Sequence, residues 1–368
     1  MSHMTTTDIS HSQDGIILLA KKPNLTSFAS LNSIKKALGT SKVGHTGTLD
    51  SFAQGLLVVC TGRLTRLAGN ITAFDKTYKA VIKFGEETDT LEYTGKVIKT
   101  APLPTMAALE NALPSFTGNI MQAPPAFSAI HVDGKRASSL ARGGNAPELP
   151  PRPVTVYSAN ILDIKADSDA PQPAALTKDS KIKYALIEFS VSKGTYIRSL
   201  ARDLGKATGS AAHLVGLYRT KVGDFYVENA AGYSSLKDFS IDNVLEDIKP
   251  NLKLISEGKS IEVRPHFDKN NIPQEELDLQ EEIRNKKVNV DKKTAALCGF
   301  GEIELASEEA AADFRNGKPL RNYMFTKSLH SLTESSTTAV FTAPPESAFT
   351  GLIEKNETGR VSYKFVIN

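Results

Sequence analysis

One acidic residue stands out in an otherwise basic part of the sequence. Asp50 lies in the run VGHTGTLDS (residues 43–51), whose glycines and small polar residues predict a shaped loop. Nearby Lys or Arg side chains would favour the ionised acid, and a fixed carboxylate can act as a nucleophile or as a base. The alternative is that Asp50 only caps a helix, which we predict over the apolar residues 52–59.

Two further groups carry side chains suited to nucleic-acid or phosphate chemistry. The run SKGTYIRSLARDLG (residues 192–205) predicts a strand, a glycine turn and a helix with Tyr196 and Arg198 in its first turn. Such a helix start favours anions, and Arg198 could instead pair bidentately with Asp50 or remain solvated. In KTYK (residues 76–79), Tyr78 lies either in the core or against a nucleobase by stacking. The local patterns leave these alternatives open.

The distribution of charge is more informative than the net charge. The chain carries +3 over 368 residues, but residues 15–83 contain ten Lys or Arg against two acids, a local net charge of +8. A polyanion would bind such a stretch in a salt-dependent way, because binding releases counterions. The alternative is a solvated basic surface without a partner.

The signature motifs of several common enzyme classes are absent. The sequence has no GxSxG, HExxH, Walker lysine loop, GxGxxG or metal-spaced Cys/His cluster, which argues against serine hydrolases, zinc enzymes, P-loop NTPases and Rossmann dehydrogenases. Cys60 and Cys298 are far apart, and we expect buried thiols in a reducing compartment. With no signal peptide and no apolar run near the roughly 20 residues of a membrane span, we expect a cytoplasmic protein.

The elements that must position these groups mix helices and strands without a repeat. Strands are predicted over residues 15–20, 76–84 and 181–192, helices over 27–38 and 196–206, and an acidic loop over 85–95. Beyond about residue 250 the patterns predict a charged helix over 272–287, a helix over 306–314 and two closing strands over 352–367. We therefore expect a disordered segment 1–13, a mixed α+β catalytic domain 14–250 and a small C-terminal domain 251–368.

Five short motifs, in this order, resemble the TruB family of tRNA pseudouridine synthases: GHTGTLD (44–50), GLL (55–57), KTY (76–78), GTYIR (194–198) and AHL (212–214). The resemblance implies a long mixed, mostly antiparallel sheet with a central RNA cleft, and a small PUA-like RNA-binding domain at the C-terminus. It implies that the substrate is the T-loop uridine at position 55 of tRNA. Because uridine and pseudouridine are isomers, no cofactor and no metal are expected. We expect a monomer.

The resemblance also assigns roles to residues, with Asp50 as the catalytic aspartate. The base-binding candidates are Tyr78, Tyr196, Arg198 and Leu217. The RNA-binding candidates are His45, Lys22, Lys42 and Arg142. Among these, Arg198 would pair with the aspartate, Tyr78 would stack on the target base, and His45 would insert into the T loop.

The sequence departs from the family pattern at two places, and two other functions stay open. The aspartate is followed by Ser51 instead of proline, and KPNLTS (residues 22–27) is one residue short and lacks the family's glycine. One alternative is a synthase of the same fold that uses a guide RNA or acts on another RNA. The other is a non-catalytic RNA chaperone, against which the joint presence of Asp50, Tyr78 and Arg198 argues.

Overall fold

The computed structural model describes residues 13–167, 176–259, 261 and 272–367. The strands in these residues are β1 (Gly15–Lys21), β2 (Val43–His45), β3 (Gln54–Thr61), β4 (Lys76–Phe84), β5 (Glu86–Thr88), β6 (Val97–Thr100), β7 (Gly118–Gln122), β8 (His131–Val132), β9 (Lys135–Arg136), β10 (Arg152–Ala166), β11 (Ile182–Val191), β12 (Ala212–Val222), β13 (Phe225–Tyr226), β14 (Gly301–Glu304), β15 (Ser336–Phe341), β16 (Phe349–Lys355) and β17 (Val361–Val366). The helices are α1 (Ser27–Leu38), α2 (Ala68–Thr72), α3 (Met106–Ala112), α4 (Ala137–Arg142), α5 (Ile197–Ala207), α6 (Ile241–Ser256), α7 (Gln274–Asn285), α8 (Lys292–Leu297) and α9 (Glu308–Arg315). Of the segment predicted to be disordered, residues 1–12 lie outside this description.

The larger sheet has the strand order β1-β3-β12-β4-β11-β10-β7, with β2 paired to β3 and β13 paired to β12. Its neighbours are antiparallel except for β3 and β12, which run parallel. The predicted mixed, mostly antiparallel sheet is therefore confirmed. Apolar residues of β4, β11, β12 and α5 form its main core, which places α5 against the middle of the sheet.

Strand β3 stands where a helix was predicted over residues 52–59, and that prediction is wrong. All eight residues of β3 are buried, with β1 on one side and β12 on the other. A run that is apolar on both faces has no period, so the pattern did not separate a buried strand from a helix. Since no helix follows Asp50, the capping alternative for this residue is wrong as well.

The C-terminal residues form a second sheet, in the order β14-β15-β16-β17. Its core contains Phe314 of α9, a helix that Ser307 caps. A separate apolar cluster joins this sheet to the larger one and contains both buried cysteines, Cys60 and Cys298. Helix α6 runs across residue 250, and α7 packs on α1, so the domain boundary at 250 stays a prediction.

No helix in the described ranges is both long and apolar enough to cross a bilayer.

Candidate active site

Asp50 lies in the turn that joins β2 to β3, a segment that we call the Asp50 loop (residues 46–53). Arg198, in the first turn of α5, donates from Nη2 to Oδ1 of Asp50 at 3.1 Å. Its Nε lies 3.1 Å from Oδ2, but without the alignment of a hydrogen bond. Arg198 therefore pairs with Asp50 as expected, but through one hydrogen bond and one further close contact instead of two hydrogen bonds. The Arg198 side chain is 7% exposed and that of Asp50 is 31% exposed, so the carboxylate remains reachable from solvent.

Backbone carbonyls from two other segments fix the Arg198 guanidinium. Its Nη1 donates to the Thr90 carbonyl at 2.9 Å, and Nη2 also donates to the Phe127 carbonyl at 3.0 Å. The start of α5 is fixed in turn by Gln122, whose side-chain amide accepts from the Tyr196 N–H at 2.8 Å and donates to its carbonyl at 3.1 Å. Arg198 therefore presents a fixed fork to Asp50 and loses little side-chain entropy when it pairs.

Side chains from β1 and α1 hold the backbone of the Asp50 loop. The Ser27 hydroxyl donates to the Leu49 carbonyl and accepts from the Leu49 N–H, both at 2.9 Å. The Lys21 ammonium donates to the carbonyls of Ala53 at 2.6 Å and Ser51 at 3.2 Å. Because this contact uses the carbonyl of Ser51, the replacement of the family's proline by serine does not remove it.

Lys21 interacts electrostatically with Asp50 and was not singled out from the sequence, where Lys22 was named only as an RNA-binding candidate. Lys21 is 1% exposed, and burial lowers its pKa to about 7 although Asp50 acts in the opposite direction. Lys22 turns outward and pairs with Glu275 of α7. Asn24 then adopts a left-handed backbone with φ 62°, a conformation that Asn tolerates better than most residues. The turn is therefore made without the family's glycine.

The other base-binding candidates lie on neighbouring elements of the main core. Tyr78 of β4 and Leu217 of β12 are 9% and 4% exposed, and both belong to the cluster that contains Leu49. Tyr196 is half-buried, which raises the pKa of its phenol, and both Arg198 and Asp50 act on that pKa. The structure thus brings Tyr196 and Arg198 to Asp50, with Tyr78 and Leu217 in the adjoining core.

The RNA-binding candidates differ in their burial. His45 is half-buried at the end of β2, and burial, assisted by Arg219, lowers its pKa. Its Nδ1 has no hydrogen-bond partner within the described part of the chain. Lys42 and Arg142 are exposed, before β2 and at the end of α4 respectively. Neither Lys42 nor Arg142 pairs with Asp50 in the structure, and their roles stay predictions.

A second carboxylate, Glu92, lies near the ion pair and was not foreseen. Burial raises the pKa of Glu92 to about 7, with Asp50 acting in the same direction and Arg198 opposing it. Its Oε1 accepts from the Thr94 hydroxyl at 2.9 Å. Several acids occupy this loop, and no local sequence signal distinguishes Glu92 from its neighbours.

Comparisons with known proteins identify the relatives of this chain. The model of the TruB family pseudouridylate synthases (N-terminal domain) matches residues 35–197. The tRNA pseudouridine synthase B of Treponema denticola is 42% identical over 310 residues, which cover 83% of this chain and 84% of that protein. The enzyme of the same name from Borreliella burgdorferi is 39% identical over 250 residues, 68% of this chain and 83% of its own length.

Solved structures share the fold at lower identity. A crystal structure of a Cbf5–Nop10–Gar1 complex superposes with a TM-score of 0.59 at 22% identity, over 97% of this chain and 85% of that chain. An archaeal box H/ACA Nop10–Cbf5 complex superposes with a TM-score of 0.59 at 20% identity, over 98% of this chain and 88% of that chain. From its sequence relatives and the matched family model, the chain belongs to the TruB family of pseudouridylate synthases.

Proposed function

We propose that this chain isomerises the uridine at position 55, in the T loop of tRNA, to pseudouridine, with Asp50 as the catalytic carboxylate. The observation that carries the proposal is the pairing of a solvent-reachable Asp50 with a buried Arg198 that comes from 148 residues away. The 39–42% identity to two proteins named tRNA pseudouridine synthase B supports tRNA as the substrate.

The reaction exchanges one glycosidic bond for another. The C1′–N1 bond breaks, the uracil rotates, and C1′ bonds to C5. The proton lost from C5 is balanced by a proton gained at N1, so that reactant and product have the same atoms. Arg198 orients the Asp50 carboxylate toward the reacting nucleotide, and such positioning removes much of the entropic barrier.

The target base must leave the folded loop before it can reach Asp50. Extrusion costs a few kcal/mol, which stacking and side-chain contacts in the pocket offset. We assign the pocket to Tyr78, Tyr196 and Leu217. His45 acts as an uncharged ring at neutral pH, because its pKa lies below the usual value, and is therefore suited to wedge between bases. The ammonium groups of Lys22 and Lys42 and the guanidinium of Arg142 contact phosphates.

The remaining assignments concern RNA binding by the C-terminal sheet, the oligomeric state and the cellular location. The C-terminal sheet β14–β17 is proposed as a PUA-like RNA-binding unit that extends the contact along the T stem. A single chain supplies all residues of the site, which is consistent with a monomer. A tRNA substrate supports a location in the cytoplasm.

Incubation with an unmodified tRNA transcript tests this function. Pseudouridine is mapped by carbodiimide treatment and primer extension, with three RNAs: the full transcript, the isolated T stem-loop, and a transcript with cytidine at position 55. We expect a stop at position 55 in the first two RNAs and none in the third. Modification at another position, a requirement for added guide RNA, or binding without modification would each contradict the proposal.

A further inference from the structure

Besides Ser27 and Lys21, a third side chain, that of Arg219 in β12, contacts the backbone of the Asp50 loop. It is 2% exposed. Its Nη2 donates to the Gly47 carbonyl at 3.2 Å and its Nη1 reaches the Thr48 carbonyl at 3.5 Å, both in the Asp50 loop. Its Nε donates to the Leu56 carbonyl in β3 at 2.7 Å. One guanidinium therefore joins the start of the loop to the strand that follows it.

The backbone of Arg219 approaches the same strand closely. It pairs with Gly55, one of the two β3 residues at which the parallel contact between β12 and β3 is made. A Cβ atom at Gly55 would lie 2.3 Å from the Arg219 carbonyl oxygen, and Gly55 has φ 112°, so glycine alone fits this approach. Backbone and side chain of Arg219 thus hold both ends of the Asp50 loop relative to β12.

The partners of Arg219 are unusual for a buried cation. Within the ranges that the structure describes, carbonyl oxygens accept all its hydrogen bonds and no carboxylate pairs with it. An unpaired charge is costly to bury, and an apolar side chain would fill the core at a lower cost. The planar fork has five donors in fixed directions, which a lysine does not reproduce.

We propose that Arg219 is a positioning residue that fixes the Asp50 loop and thereby sets the position of the Asp50 carboxylate. This inference rests on the proposed function and adds a residue to it. Arg219 contacts no substrate atom in this account and acts only through the loop backbone. A displacement of about 1 Å at the reacting centre lowers rates by roughly 100-fold, so the contribution is measurable.

The test uses the full chain with Arg219→Gln, Arg219→Lys and the control Arg284→Gln. Arg284 also donates to a backbone carbonyl, that of Ala37 at 3.5 Å, but away from the loop. The single-turnover rate at saturating tRNA, the Kd for tRNA and thermal melting are measured for each. We expect Arg219→Gln to lose about 100-fold in rate with Kd within about threefold, Arg219→Lys to recover only part of the rate, and the control to match wild type.

Three outcomes separate the claims. A wild-type rate for folded Arg219→Gln overturns the inference and leaves the proposed function intact. If that variant does not fold, Arg219→Lys decides: at least about a tenfold lower rate with unchanged Kd supports the inference, and a wild-type rate overturns it. If the wild-type protein itself forms no pseudouridine, the proposed function fails instead.

Discussion

In both the Asp50 loop and the C-terminal sheet, a buried lysine donates hydrogen bonds to backbone carbonyls. In the loop, buried Lys21 donates to the carbonyls of Ser51 and Ala53. In the C-terminal sheet, Lys355, 8% exposed, donates to the carbonyls of His330 at 3.0 Å and Leu332 at 2.8 Å. Each lysine ties a turn to a neighbouring strand through its backbone.

The difference lies in the charged groups around each lysine. Asp50 and Arg219 both act on the pKa of Lys21, and Arg198 and Glu92 lie next in the same network. Lys355 has only carbonyl partners among the residues described, and the nearby ion pair of Lys364 with Glu354 is accessible to solvent, with side chains 34% and 47% exposed. A buried lysine therefore holds backbone carbonyls in both regions. Only the candidate active site also has several ionisable side chains close to that lysine.

Arg198→Lys should show the largest effect in this comparison. The variant keeps the charge but loses the two-point contact with Asp50 and one or more carbonyl contacts. We expect the single-turnover rate at saturating tRNA to fall by about 100- to 1,000-fold. Arg202→Lys is the matched control, since Arg202 lies one turn on in α5 and bonds to Ala123 and Asp203 instead. Equal rates for the two variants would contradict the proposed role of Arg198.

Glu92→Gln tests the charge network through the pH dependence of stability. The pKa of Glu92 is raised in the folded protein to about 7, so the folded state binds the proton more tightly than the unfolded state. The resulting stabilisation is complete below about pH 4.5 and is lost as the pH rises to 7. Relative to Glu92→Gln, wild type should lose on the order of 2 kcal/mol of unfolding free energy over this range.

Urea unfolding at a series of pH values measures this difference. Glu246→Gln serves as the control, because the Glu246 side chain is 67% exposed and its ion-pair partner among the described residues is Lys249. A constant difference between wild type and Glu92→Gln across the range would show that Glu92 titrates normally.

Substituting the two buried lysines compares the regions directly. Lys21→Met leaves three carbonyls without this donor and Lys355→Met leaves two, which costs about 1–3 kcal/mol per buried group and should lower both melting temperatures. Only Lys21→Met should lower the single-turnover rate, by about tenfold, since only that loop carries Asp50. A similar rate loss in Lys355→Met would mean that the loss reflects general stability.

Much of this site followed from sequence because its residues occur in recognisable motifs. The pairing of Asp50 with Arg198 was predicted only from the order of those motifs, because 148 residues separate the two side chains in the sequence. The strand β4 followed from its alternation, in which Tyr78 shares a face with other apolar residues.

Other parts of the site carry no local signal. Lys21 and Lys22 are adjacent and identical in type, and only the direction of the side chain at the end of β1 decides which is buried. The partners of Arg219 are backbone carbonyls, which any residue supplies, so its role leaves no pattern in the sequence. Strand β3 is apolar on both faces, and its length alone did not decide between strand and helix.

The most direct test of the account is the rate of pseudouridine formation at position 55 by wild type, Asp50→Asn and Asp203→Asn. Asp203 is the matched control, because it pairs with Arg202 on the same helix as Arg198 and does not contact Asp50. We predict that Asp50→Asn binds tRNA with Kd within about threefold of wild type but loses at least about 1,000-fold in rate, while Asp203→Asn keeps the wild-type rate. Modification at the wild-type rate by Asp50→Asn would contradict the assignment of Asp50 as the catalytic carboxylate.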